Sequence, residues 1–216
     1  MIEAVVFDMD GLLVDSEPLW QNARVEAFEP GELRWTDADQ ERVMGQSTRG
    51  WALMIADKLD HKYSLEEIID RVIGQMVEYY HQRVPLLPGA REVIELLKGR
   101  YRLGLASGAP YRLLNAVLES AGWTGVFAEV LSSDDLQRGK PAPDIYLEIT
   151  RRLGVPAWRI AVFEDSANGI IAAHEASNRV IAVPSHYFNP PADALQKAAL
   201  VLPTLSEFTL DMLERL

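Results

Sequence analysis

Four apolar stretches of this sequence end in, or lead shortly to, side chains able to do chemistry. Ala4-Val5-Val6-Phe7 runs into Asp8-Met9-Asp10-Gly11, Tyr101 to Ser107 closes on Ser107-Gly108, Ile160 to Phe163 runs into Glu164-Asp165-Ser166, and Ala128 to Ser132 is followed by Gly139-Lys140-Pro141. Two carboxylates closing one buried strand repel each other unless a cation sits between them, and neither Asp8 nor Asp10 has a basic neighbour in sequence. Glu164 and Asp165 add two more acids, and oxygen donors without Cys or His point to a hard cation such as Mg²⁺. The plainer readings are that Asp-x-Asp forms a turn and that Asp165 or Ser166 caps the following helix, a role compatible with metal binding. Ser107 alone reads as a turn or cap hydroxyl; beside the permissive Gly108 it fits a phosphate oxygen approaching backbone N–H groups. Lys140 alone reads as a solvated lysine. Held between Gly139 and Pro141, it is the fixed cation that a phosphoryl group among carboxylates needs. It is not a P-loop lysine, because the earlier glycine is missing and proline follows.

These residues meet only if the apolar runs are neighbouring strands. The runs are apolar on both faces, as in a central parallel sheet covered by helices. They alternate with helical stretches at Gly89 to Lys98, Tyr111 to Ala121, Pro143 to Leu153 and Ser166 to Ala176, with a further strand at Val180 to Val183. Alternating strand and helix at this spacing predicts a doubly wound, mostly parallel α/β sheet of Rossmann-like type, in which ligands bind beyond the carboxyl ends of the strands. Between Asp15 and Pro85 the pattern turns helical, with helices expected at Glu17 to Phe28, Asp37 to Met44, Thr48 to Leu59 and Ser64 to Arg83. This predicts a core of residues 1–14 and 86–216 and an inserted helical cap of residues 15–85, with the proline-bracketed Val84 to Gly89 suited to a hinge. Trp20, Trp35 and Trp51 are expected to pack that bundle, Trp20 also being placed to line the cleft. His61, His81, His174 and His186 lack metal-ligand spacing and read as surface or helix-end residues.

Composition narrows the function classes. The 216 residues carry a formal net charge of -11, which argues against nucleic-acid and anionic-membrane binding, since both depend on clustered Lys and Arg. The absence of cysteine removes disulfides, thiolate metal sites and a cysteine nucleophile. With no apolar run approaching the ~18 residues of a membrane span and no basic leader at Met1-Ile2-Glu3-Ala4, a cytoplasmic protein is expected. A monomer is the default expectation, because a cap must open and close.

Taken in order, Phe7-Asp8-Met9-Asp10-Gly11 running into Trp20, Leu105-Ala106-Ser107-Gly108, Gly139-Lys140-Pro141-Ala142-Pro143-Asp144-Ile145-Tyr146 and Phe163-Glu164-Asp165-Ser166-Ala167-Asn168-Gly169-Ile170 resemble the four motifs of the haloacid dehalogenase superfamily, in its β-phosphoglucomutase-like and sugar-phosphate phosphatase branch. The resemblance covers nearly the whole chain. It implies that Asp8 is the nucleophile of an aspartyl-phosphate mechanism and that Asp10 acts as acid and then base. It further implies that Mg²⁺ is held by Asp8, the Asp10 carbonyl and Asp165 with Glu164, and that Ser107, Gly108 and Lys140 hold the phosphoryl oxygens. The implied substrate is a small phosphorylated metabolite, a sugar or sugar-alcohol monophosphate.

Departures from the branch sharpen this. Mutases resemble one another in a Ser-Ala-Ser-Lys-Asn stretch that grips a second phosphate, whereas this chain reads Ser107-Gly108-Ala109-Pro110-Tyr111. Mutases also tend to carry His where Trp20 stands. Arg49, in Gly45-Gln46-Ser47-Thr48-Arg49, is a candidate distal contact in the cap. A phosphatase is therefore expected, with a hexose phosphomutase as the alternative enzyme and a phospho-acceptor switch as the alternative class. Asn178, in Ala176-Ser177-Asn178-Arg179, is expected to take the left-handed turn that ends a helix.

Overall fold

The computed structural model describes residues 1–43, 47–185, 187 and 189–216. Six strands, β1 (Ala4–Phe7), β2 (Arg102–Ser107), β3 (Glu129–Ser132), β4 (Ile160–Glu164), β5 (Arg179–Ala182) and β6 (Leu200–Val201), form one sheet in the order β3-β2-β1-β4-β5-β6. Every pair is parallel. In this Rossmann-like order the chain leaves β1 toward one edge and later returns on its other side at β4, so the crevice for a ligand lies past the carboxyl ends of β1 and β4.

The helices are α1 (Glu17–Glu26), α2 (Asp37–Val43), α3 (Thr48–Lys58), α4 (Leu65–Gln82), α5 (Ala90–Leu97), α6 (Tyr111–Ser120), α7 (Asp144–Leu153), α8 (Ala167–Glu175), α9 (Ala192–Leu195) and α10 (Leu210–Glu214). Strand alternation explains why the runs are apolar throughout. Val5 and Phe7 face a core shared with Val93 and Ile94 of α5 and Leu113 and Val117 of α6, while Ala4 and Val6 face Tyr146 and Ile149 of α7 and Ile170 of α8. The Phe7 and Phe163 rings stack at 4.9 Å across adjacent strands, fixing the register next to Asp8.

The helical stretch predicted between β1 and β2 is present as α1 to α4. Helix α4 begins at a reciprocal capping box, in which Ser64 accepts from the Glu67 N–H and the Glu67 carboxylate accepts from the Ser64 N–H. It buries Ile68, Val72, Ile73, Met76, Val77 and Tyr80 against α1, α3 and α6. Full burial of one such aliphatic side chain contributes about 1.5–3 kcal/mol, far more than the cap's ~1 kcal/mol, so packing fixes this helix and the cap fixes where it starts. The chain leaves and re-enters the β1 region side by side, with the Asp15 N–H donating to Pro85 O (2.8 Å) and the Leu87 N–H to Leu13 O (3.0 Å).

Among the described residues, β6, α9 and α10 lie outside the sequence-based expectations, each being too short to carry a period. The end of α8 also corrects an expectation. Ser177, at φ 63°, takes the left-handed turn, and Asn178 instead donates from its amide to Ala157 O (3.2 Å) and Thr150 Oγ1 (3.3 Å). His61, His81 and His174 are exposed as expected; His186, Met44 and the Gly45-Gln46 spacing lie outside the described residues.

Candidate active site

Asp8 continues β1 by one residue, its N–H donating to Phe163 O at 3.1 Å, and its carboxylate is buried where β1 meets β4. The turn that follows folds back on Met9, whose carbonyl accepts from Leu13 and Val14. At its tip Gly11 has φ 80°, and a Cβ there would stand 2.3 Å from Asp165 Oδ2. Glycine thus lets the loop after β1 close on the acid that follows β4. Glu164 is the last residue of β4 and Asp165 the next; carboxylate oxygens of Asp8, Glu164 and Asp165 lie within 4.8 Å of one another.

Lys140 joins the two strands. Its ammonium donates to Asp8 Oδ1 and Glu164 Oε1, both at 2.5 Å, and its longer contact is to Ala106 O at 3.4 Å. Glu164 Oε1 also accepts from the buried Tyr146 hydroxyl, and its Oε2 accepts from the Asp165 N–H (3.1 Å) and Ser166 Oγ (3.2 Å). With both oxygens occupied and no exposure, Glu164 is an anchor for Lys140 as much as a cation ligand. The first turn of α8 closes over it, where a Cβ on Gly169 would come 1.9 Å from the Glu164 carboxyl. Gly169→Ala is therefore expected to destabilise the fold by about 3 kcal/mol, within the upper range of overpacking costs. Urea unfolding checks this, and a loss below about 1 kcal/mol would show that the turn over Glu164 is looser than its geometry.

Asp10 faces the other way, into the cleft beneath α1. Its Oδ2 accepts from Ser107 Oγ at 3.2 Å, its Oδ1 has a long contact with Trp20 Nε1 at 3.5 Å, and Ser16 adds a side-chain hydrogen bond. Ser107 also accepts the Ala109 N–H at 3.0 Å. Ser107 thus stands at the end of β2, where a phosphate contact is expected, and also hydrogen-bonds Asp10. Gly108 is exposed at the mouth of the cleft.

Burial dominates the electrostatics. It pushes the Asp8 carboxyl up to about 7, Lys140 pulling in the opposite direction and Glu164 adding to the rise. Burial also raises Asp10, against the hydrogen bonds from Ser16, Ser107 and Trp20. Asp165 is pushed well above the usual carboxylate range by burial and then by Glu164 and Asp8. For Lys140, burial works downward but the Asp8 and Glu164 carboxylates outweigh it and leave the ammonium strongly held. Three carboxylates against one lysine leave negative charge in excess, and Asp165 forms no ion pair among the described residues. An all-oxygen cluster with a charge deficit fits a hard divalent cation.

The cleft above these residues measures about 520 Å³, and is lined by Trp20 and Arg24 of α1, Trp51 of α3, Ser107 and Lys140 among others. Trp20 and Trp51 lie 6.0 Å apart, so these tryptophans both pack the helices and wall the cleft. Trp35 stays with the bundle, donating to Gln40 Oε1 at 3.1 Å. The candidate Arg49 does not reach the cleft: Thr48 and Trp51 share the inward face of α3, and Arg49, one residue from Thr48, is turned about 100° away into solvent. Where α1 overhangs the cleft, the cation among the described residues is Arg24. Glu17, Trp20 and Arg24 recur at i, i+3 and i+7 and so share one helix face, the signal that marks them together.

A family model described as haloacid dehalogenase-like hydrolase matches residues 2–177. The chain is 34% identical over 215 residues to hexitol phosphatase B of Escherichia coli (strain K12), covering 96% of this chain and 95% of that one. It is 33% identical to the phosphorylated carbohydrates phosphatase of Thermotoga maritima over 93% of this chain and 94% of the other. The structure of CbbY from Rhodobacter sphaeroides in complex with phosphate superposes with a TM-score of 0.84 at 28% identity, covering 99% of this chain and all of that one.

Proposed function

Because the chain belongs to the haloacid dehalogenase-like hydrolases, we propose that it hydrolyses small phosphorylated sugars or sugar alcohols through a phosphorylated Asp8. The observation that carries this reading is the division of labour between two acids two residues apart: Asp8 is fixed beside Lys140, and Asp10 is turned to the cleft under Ser107 and Trp20. An Asp8 carboxylate oxygen attacks phosphorus while the bond from phosphorus to the ester oxygen breaks. The departing alkoxide takes a proton from the Asp10 carboxyl. Asp10, now a carboxylate, takes a proton from water as the water oxygen attacks phosphorus, releasing inorganic phosphate and restoring the Asp8 carboxylate. The raised Asp10 favours the protonated form that the first step requires.

In this reading Ser107, the Gly108 backbone and Lys140 receive the phosphoryl oxygens, and Ser107 is also hydrogen-bonded to Asp10. Asp8, the Asp10 carbonyl and Asp165, backed by Glu164, would hold Mg²⁺, which when bound offsets the charge between an anionic nucleophile and an anionic substrate. Residues 1–14 and 86–216 form the catalytic core and residues 15–85 a cap whose paired crossings at Asp15 and Leu87 serve as hinge. The stretch Gly108-Ala109-Pro110-Tyr111 carries no basic side chain for a second phosphate, which favours hydrolysis over phosphoryl return to a mutase substrate.

Phosphate release from a panel of sugar and sugar-alcohol monophosphates, with Mg²⁺ or with EDTA, tests the proposal. Release that requires Mg²⁺ and leaves no isomerised sugar phosphate is expected; bisphosphate-dependent isomerisation with little free phosphate would select the mutase. Metal and pH are also linked. Asp8 is raised from 3.8 to about 7, so the metal-free fold holds its proton more tightly than the unfolded chain. Its stabilising contribution is complete below about pH 4 and is lost as pH rises through about 7. The melting temperature of parent minus Asp8→Asn, measured in EDTA, should therefore fall over that interval, and Mg²⁺ should raise the parent's melting temperature more at pH 8 than at pH 5. A difference that rises with pH would contradict the burial assigned to Asp8.

A further inference from the structure

Resting on the phosphatase reading above, we infer that Arg24 and Glu17, bridged by Gln40, read the leaving group, accepting an uncharged polyhydroxyl chain and discriminating against substrates with a second anionic group. Glu17, Trp20 and Arg24 occupy one face of α1, and Trp20 on that face contacts Asp10, the proposed acid. The face therefore looks onto the atoms the leaving alcohol would occupy. Arg24 is 4% exposed, yet it forms no ion pair among the described residues. Its Nη1 donates to Gln40 Oε1 at 2.9 Å, Gln40 Nε2 donates to Glu17 Oε1 at 2.8 Å, and Arg24 Nε has no partner among the described residues. The guanidinium lies 5.4 Å from the Trp20 ring centroid and 6.0 Å from that of Trp35.

A buried guanidinium with open donors and no carboxylate in contact is costly, and it is a half-made site that an acceptor ligand would complete. Glu17 lines the same cleft with acceptor capacity to spare. One fixed donor and one fixed acceptor, separated by an amide, match a chain of vicinal hydroxyls, since each hydroxyl both donates and accepts. The pair is neutral in sum. A second phosphate or a carboxylate would gain Arg24, face Glu17 and still lose its hydration, so the net favours the uncharged chain. Trp20 and Trp51 supply apolar walls for its C–H groups, and about 520 Å³ is a small-molecule volume.

The test is a comparison of kcat/KM for a hexitol monophosphate, n-hexyl phosphate, a hexose bisphosphate, a phosphorylated hydroxy acid and p-nitrophenyl phosphate, with Mg²⁺ present. The parent enzyme should prefer the hexitol ester over n-hexyl phosphate and over both doubly anionic esters by about 100-fold, the scale set by unpaired buried polar groups. Glu17→Gln, which keeps size and hydrogen bonding, should narrow the discrimination against the phosphorylated acid by about 10-fold. Arg24→Met should lower hexitol-ester turnover about 10-fold more than it lowers p-nitrophenyl phosphate turnover. Because that buried variant can fold poorly, the parent and Glu17→Gln ratios stand as the independent readout. If p-nitrophenyl phosphate is hydrolysed but the doubly anionic or hydroxyl-free esters match the hexitol ester, or Glu17→Gln leaves the ratio unchanged, this inference is overturned and the phosphatase reading stands. If no ester at all releases phosphate, both are overturned.

Discussion

Asp8→Asn is expected to abolish phosphate release, with a fall of about 10⁴-fold or more in kcat, as when a nucleophile is removed from a preorganised site. An amide cannot attack phosphorus as a carboxylate does, and its oxygen gives Lys140 a weaker partner than Asp8 Oδ1. The substitution keeps size, and it removes an acid that burial already pushes toward neutrality, so the fold should survive it. Circular dichroism and thermal unfolding separate lost chemistry from lost structure. A folded Asp8→Asn protein with parental turnover would remove Asp8 from the mechanism.

The second large effect is expected at Asp10. Asp10→Asn retains the shape of the carboxyl group but can neither give a proton to the leaving alkoxide nor take one from water, a loss of about 10²- to 10⁴-fold for each step that needs it. The two steps can be told apart. With p-nitrophenyl phosphate the leaving group needs little protonation, so attack by Asp8 should proceed while hydrolysis of the phosphoenzyme stalls. Stopped-flow absorbance should then show a burst of p-nitrophenolate approaching one equivalent of enzyme, followed by slow turnover. With a sugar-alcohol ester, whose leaving group needs the proton, phosphorylation of Asp8 should itself be slow, as read by rapid quench. Equal steady rates for variant and parent on both esters would assign the acid and base work elsewhere, Ser107 and Trp20 then serving only to pack the loop.

The candidate site was legible in the sequence because its signals are local. An apolar run of four residues ending in Asp-x-Asp carries the strand, its carboxyl end and the chemistry within a few positions, and the same holds for Ser107-Gly108 and Glu164-Asp165. Parallel pairing of β1 with β2 and β4 then brings those ends together as the doubly wound topology requires. What remained hidden depends on tertiary neighbours. Arg24 looks like the solvated side of an amphipathic helix until α2 sets Gln40 against it, and Arg49 looks like a cleft residue until the phase of α3 turns it outward. The bond from Ser107 to Asp10 spans 97 positions and so leaves no local signal. The contacts of Glu164 with Lys140, Tyr146 and Ser166 likewise arise only when α7 and α8 pack beneath the sheet. The net charge of -11 argues against polyanion partners but hides the two cations, Lys140 and Arg24, that line the cleft.

The most direct measurement of the central claim is the covalent one. Asp10→Asn is mixed with p-nitrophenyl phosphate, whose leaving group needs little protonation, and Mg²⁺, quenched in acid, digested and analysed by mass spectrometry. The account predicts one phosphoryl group on the peptide that begins the chain, localised to Asp8, absent with EDTA and absent when Asp8 is also Asn. A phosphoryl group on any other residue, or phosphate release from the parent with no acid-stable covalent species in the variant despite a p-nitrophenolate burst, would contradict it.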